Sequence, residues 1–172
     1  MASGFKYKGD SQNANGGQVL EKVLLADSTE FTIGDAVKVD GTNGVAILWG
    51  LGGAGLGILV GFVKADGSPV TDDGASADFV ATYTTPASNT VYGLVDASLT
   101  SLWSVELDAT AGTTTGTDKY GVNIDCLAAS DQLDESSVLS GTASFFSHGT
   151  DPDPKAPSNS VVVSIQESQR KL

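Results

Sequence analysis

The chain is poor in the side chains that most often carry chemistry. It has one cysteine, Cys126, and one histidine, His148, in 172 residues. A single cysteine forms no internal disulfide, so a disulfide framework is excluded, and Cys126 is expected as a small buried apolar side chain. One histidine and one cysteine cannot fill a typical zinc site. Cations are scarce: nine Lys and Arg stand against 21 Asp and Glu, for a formal net charge of −12. Phosphate binding needs clustered Lys and Arg, so nucleic acid is not an expected partner. A membrane surface is disfavoured for the same reason. An unbroken apolar run is missing too. The most apolar stretch, Val45 to Val63, is interrupted by Gly50, Gly52, Gly53, Gly55, Gly57 and Gly61, which argues against a membrane-spanning helix. Met1 to Asp10 contains Lys6 and Lys8 but no apolar core of a signal peptide, so none is expected.

What the chain does have is glycine, 21 residues of it, with Thr, Ser, Val and Ala throughout. That mixture suits short strands joined by tight turns and is poor material for a helical bundle. Val19 to Leu25, Glu30 to Ile33 and Ala36 to Asp40 read as the first strands. Val37 and Val39 alternate with Lys38 and Asp40 in the last of these. Asp40-Gly41 and Asn43-Gly44 are turn dipeptides. Val45 to Trp49 and Ile58 to Lys64 are continuous apolar runs, the pattern of strands covered on both faces. Asp78 to Tyr83, Thr90 to Asp96, Leu102 to Asp108, Val122 to Asp125, Thr142 to Phe146 and Ser160 to Ile165 complete the series. In Leu102 to Asp108, Trp103, Val105 and Leu107 share one face, opposite Leu102, Ser104, Glu106 and Asp108. Ala111 to Asp118 reads as a loop, Ala128 to Ser137 as a turn or two of helix, and Asp151-Pro152-Asp153-Pro154 as a rigid connector.

The expected fold is all-β, a β-sandwich or β-barrel of short strands with an extended N-terminal arm. Residues 1–17 form the arm, and residues 18–172 a single β domain. The arm is polar and aperiodic, with Phe5 and Tyr7 as apolar anchors and Lys6 and Lys8 as local cations on an acidic protein. Those four residues are the candidate partner-binding set, in an arm expected to be mobile alone and to order on a neighbouring subunit. Trp49, Trp103, Phe145 and Phe146 are candidates for core or interface, with core favoured.

No pattern nominates a catalytic centre, a metal site or a cofactor. Gly50-Leu51-Gly52-Gly53-Ala54-Gly55 formally matches a dinucleotide-binding loop. Such a loop must open a helix, and Ile58 to Val63 reads as a strand instead. No Gly-x-Ser-x-Gly elbow occurs. His148 has Ser147 and Asp151 near it in sequence, but a triad needs convergence in space; a loop position is expected for it. Asp72-Asp73, Asp131 with Asp134-Glu135, and Asp151 with Asp153 offer oxygen ligands outside any EF-hand pattern, and solvated loop carboxylates are the expectation.

One resemblance adds to this reading. Phe31-Thr32-Ile33-Gly34-Asp35-Ala36-Val37-Lys38-Val39-Asp40 resembles an element of small β-rich capsid decoration and head-associated proteins of tailed bacteriophages. Ile58 to Val63 followed by Asp66-Gly67-Ser68-Pro69 looks like the next part of that pattern, and Leu133 to Ser137 and Ser160 to Ile165 look similar to its later strands. The resemblance implies a non-enzymatic virion protein on the outer capsid surface, assembled in the host cytoplasm. It implies the major capsid protein as partner, self-association as a homo-oligomer and reinforced capsomer contacts. The alternative is a receptor- or carbohydrate-binding β module of a fibre or tail, marked by an aromatic platform such as Tyr83, Tyr92 or Tyr120 around a groove.

Overall fold

A computed structural model describes residues 4–10, 19–49, 55–71, 80–108, 120–126, 132–134, 144–157 and 159–166. Among them every regular element is a strand. In chain order these are β1 (Lys6–Asp10), β2 (Leu20–Leu24), β3 (Glu30–Thr32), β4 (Ala36–Val39), β5 (Ala46–Leu48), β6 (Gly57–Val63) and β7 (Thr82–Thr84). There follow β8 (Tyr92–Asp96), β9 (Ser101–Glu106), β10 (Tyr120–Cys126), β11 (Leu133–Asp134), β12 (Phe145–Thr150) and β13 (Ser160–Ile165). They form a six-stranded sheet in the order β1-β9-β13-β12-β10-β11, a five-stranded sheet in the order β2-β8-β6-β4-β5, and the pair β3-β7. All the ladders are antiparallel.

Among the described residues no sheet closes into a barrel. The five-stranded sheet comes nearest. Leu25, just past β2, meets Ala46 of β5 in an isolated parallel bridge, and the Ala26 N–H donates to the Ala46 carbonyl at 2.9 Å. One bridge is not a ladder, and a groove of about 510 Å³ remains along the seam, lined by Leu24, Asp27, Asp40, Val45 and Ile47 among others.

The apolar runs explain themselves on β6. Ile58 faces a cluster shared with the six-stranded sheet, while Leu59 faces a second cluster on the other side. Both faces are covered, so the strand has no polar alternation. A register shift between Leu59 and Gly61 re-phases the strand, and Phe62 joins Leu59 in the second cluster although the two are three residues apart. Gly57 is forced by close approach: a Cβ there would lie 2.1 Å from the Asp96 carbonyl oxygen. On β9 and just past it, Trp103, Val105 and Leu107 all enter the first cluster, as their alternation predicts.

Three expectations are corrected. Leu133–Asp134, inside the segment read as helix, is a short strand on β10; Ala128 to Asp131 and Glu135 to Ser137 lie outside the described residues. His148 is on β12, not in a loop. Over residues 4–10 the expected arm is part of the body, with β1 laddered to β9; Met1 to Ser3 and Ser11 to Gly17 lie outside the described residues. So do Gly50 to Ala54, Asp72-Asp73 and Ala111 to Asp118.

Candidate functional site

The four nominated residues, Phe5, Lys6, Tyr7 and Lys8, are brought together on the edge of the six-stranded sheet. Phe5 and Tyr7 are two apart and lean to the core side, as period 2 requires. Phe5 is only 4 % exposed and belongs to the first cluster, its ring centroid 4.9 Å from that of Phe145. Burial of one phenylalanine contributes about 1.5–3 kcal/mol. Tyr7 remains 47 % exposed, with its ring edge-on to Trp103 at 5.4 Å. Lys6 pairs in register with Ser104 and is exposed.

The seat for Phe5 is built by the Gly34-Asp35 turn. The Phe5 N–H donates to the Gly34 carbonyl at 2.8 Å, and the Gly34 N–H donates to Leu59 at 2.8 Å. Gly34 has φ of 100°, and a Cβ on it would meet the Phe5 carbonyl oxygen at 2.9 Å, so the position requires glycine on both counts. Asp35 holds the turn by accepting the Thr32 N–H at 2.7 Å.

Lys8 is the extra residue of a β-bulge, since the register runs from Tyr7 opposite Trp103 directly to Gly9 opposite Leu102. Its Nζ lies 3.1 Å from Asp151 Oδ2 and 3.2 Å from Asp153 Oδ2. Hydrogen bonds to Asp151 and then Asp153 raise the Lys8 pKa. Burial pushes the Asp151 carboxyl upward, but the Ser104 hydroxyl, the Asp153 N–H and Lys8 together hold it below the usual carboxylate range. Asp153 is lowered by the Lys155 N–H and then by Lys8. Lys6, Lys8, Ser104, Glu106, Asp153 and Lys155 line a shallow cavity of about 140 Å³ beside this clasp.

The sequence marks these four residues as anchors of an arm, and neither the strand nor its acceptors is legible there. By pattern Gly34 and Asp35 belong to a strand-forming element, and Asp151 and Asp153 to a connector with loop carboxylates. The acidic Asp-Pro-Asp-Pro run opposite the only local cluster of N-terminal cations was the available signal.

The other nominated groups go elsewhere. His148 Nε2 is 2.9 Å from Ser164 Oγ, and burial pushes the imidazole pKa down. Ser164 sits on β13 opposite Phe146 of β12, so the His148–Ser164 contact joins two neighbouring strands of the six-stranded sheet. Buried carboxylates are absorbed by neighbouring donors. Asp96 accepts the Ser98 N–H at 2.9 Å and the Ser101 hydroxyl at 2.8 Å, and Asp125 accepts the Ser144 hydroxyl at 2.5 Å. Among the described residues no group of three metal-ligating side chains forms. Tyr83 packs on Phe62 at 5.8 Å, whereas Tyr92 lies under Lys22 Nζ at 4.6 Å, so the two serve different neighbours. The Tyr120 side chain lies outside what the structure describes. Trp49, Trp103 and Phe145 are core; Phe146 is half-buried beside His148.

What this arrangement does chemically is hold a strand: an aromatic plug, a glycine seat and a cation between two carboxylates. No family model, curated protein or solved structure matches this chain.

Proposed function

We propose that this chain is a structural protein of a virion, a decoration or cement protein bound to the outer capsid surface of a tailed phage. Its partners in this reading are the major capsid protein and further copies of itself, and it is not an enzyme. We read the two larger sheets as the layers of a β-sandwich, because the first cluster takes Ala36 and Ile58 from one and Val105, Ile124, Phe145 and Val163 from the other.

The observation that carries the reading is the use made of polar groups. Asp35, Asp96, Asp125 and Asp151 are buried, and each has donors from its own turn or a neighbouring strand. Such carboxylates stiffen a body; they are not presented to a substrate. A reinforcing protein needs rigidity and several modest contacts that act together, since tethered sites multiply affinity. The resemblance of residues 31–40 supplies the context, and that same element seats the N-terminal strand.

The test is co-sedimentation of the purified chain with undecorated particles. Saturation at a fixed copy number per capsid supports the reading. Sedimentation of particles with no bound chain at any ratio contradicts it.

A further inference from the structure

We propose that the N-terminal strand is exchangeable: the groove that holds Gly4–Asp10 of its own chain accepts the same segment of a second copy, and so links copies of this protein. The inference rests on the geometry of β1 and stands apart from the capsid reading.

Four features carry it. First, among the described residues β1 is an edge strand laddered to β9 alone. Its departure breaks no other strand pairing among the described residues. Second, its anchoring contacts are made with distant parts of the chain: Gly34, Trp103, Phe145, Asp151 and Asp153. None involves β2, which lies in the other large sheet. The contacts are therefore the same whether the strand comes from its own body or another, the condition under which swapping is a low-cost route to association.

Third, residues 11–18 separate the described part of β1 from Val19, and their sequence, Ser-Gln-Asn-Ala-Asn-Gly-Gly-Gln, contains no large apolar residue. Eight residues reach at most about 26–29 Å, close to the diameter of a small domain. Fourth, the groove resists being left empty. The Asp151 side chain is 1 % exposed, with Oδ2 facing Lys8, and the ring stack around Phe145 would open to water. A strand that departs must be replaced, so exchange is reciprocal.

Own-strand and partner-strand forms make the same contacts and differ by the effective concentration that the covalent connection imposes, on the order of mM for a short one. The test therefore uses full-length chain at about 1 mM, the concentration at which the two forms compete. One preparation carries Lys6→Cys and a second carries Ser104→Cys, positions directly opposite in the β1-β9 ladder. The double variant reports that both thiols fold into register, because it closes within one chain. The two single variants, mixed and then oxidised, should give a disulfide-linked heterodimer joining position 6 of one chain to position 104 of the other. Closure of the double variant with no heterodimer in the mixture overturns the proposal. If the double variant does not close, Tyr7 is replaced by a benzoylphenylalanine photocrosslinker in isotopically light and heavy chains. Light-to-heavy crosslinks at the Trp103 peptide support exchange; crosslinks confined to single chains overturn it.

Discussion

The two apolar clusters of this protein are built from different parts of the chain. The second takes all its buried members from one contiguous stretch, from Leu25 to Val95. The first runs from Phe5 to Ile165 and is completed by the N-terminal strand. They differ in chemistry as well. The second is mainly aliphatic, with Phe31 and Phe62, and its seam is stitched by Asn89, whose amide donates to Leu25 and Val91 and whose oxygen accepts the Val91 N–H. The first stacks Phe5, Phe145 and Trp49, and its two indole N–H groups, on Trp49 and Trp103, find no hydrogen-bond partner among the described residues. A buried unsatisfied donor costs about 1–3 kcal/mol. The difference teaches that the second cluster closes inside residues 19–96, where β2 pairs with β8, while the first needs strands from both sides of that stretch, with β1 and β13 flanking β9.

The sharpest way to break this comparison is to remove the plug. Phe5→Ala should cost about 3–4 kcal/mol. Amide exchange should accelerate in β9 and β13 while β6 and β8 keep their protection. Equal loss in both sheets would show that the clusters are one cooperative unit. Gly57→Ala comes next. Its Cβ would collide with backbone in the five-stranded sheet, and overpacking of this kind costs about 2–3 kcal/mol. The urea midpoint should fall with an unchanged slope. Because Ile58 belongs to the first cluster, this change should loosen both regions. Asn89→Ala should cost about 1–2 kcal/mol by leaving buried backbone groups unpaired, with the effect confined to the seam between Leu25 and Val91.

The smallest effect is the pH dependence of the Lys8 clasp. Asp151 and Asp153 have lowered pKa values in the folded chain, so their contribution is present above the ordinary carboxylate range and is lost as pH falls through the folded values. Lys8 is raised, so its share is present below the ordinary lysine value of 10.5 and is lost as pH rises through the folded one. Protection of the N-terminal peptide should be greatest between these limits and fall first on the acid side. Lys8→Met should flatten that profile while leaving β6 and β8 unchanged.

Much of the fold was legible where one strand carries its own signal. Trp103, Val105 and Leu107 announce their face by alternation, and Ile58 to Val63 announces two-sided burial by lacking it. Asp40-Gly41 and Asn43-Gly44 mark a turn in which the Asp40 carboxylate accepts from Thr42 and Asn43. What stayed hidden depends on partners far away in sequence. Phe5-x-Tyr7 is a period-2 pair, but it stands in a polar stretch too short to show periodicity, and its seat at Gly34 lies about thirty residues on. The bulges are equally silent. The shift at Leu59/Gly61 changes which side Phe62 faces, and the shift between Ser147 and Thr150 carries β12 past His148 where composition suggests a loop. The candidate site was half legible for the same reason: its cations are local, and its carboxylates arrive through the β12-β13 connection.

Hydrogen exchange of the N-terminal peptide in the purified chain at neutral pH tests the central claim most directly, namely that Gly4–Asp10 completes the first cluster in place of forming a free arm. The Phe5 amide, donating to Gly34, and the β1 amides laddered to β9 should exchange far more slowly than in an unstructured peptide, and Phe5→Ala should abolish that protection. Exchange of this segment at the unstructured rate, with β9 and β13 still protected, would contradict the account.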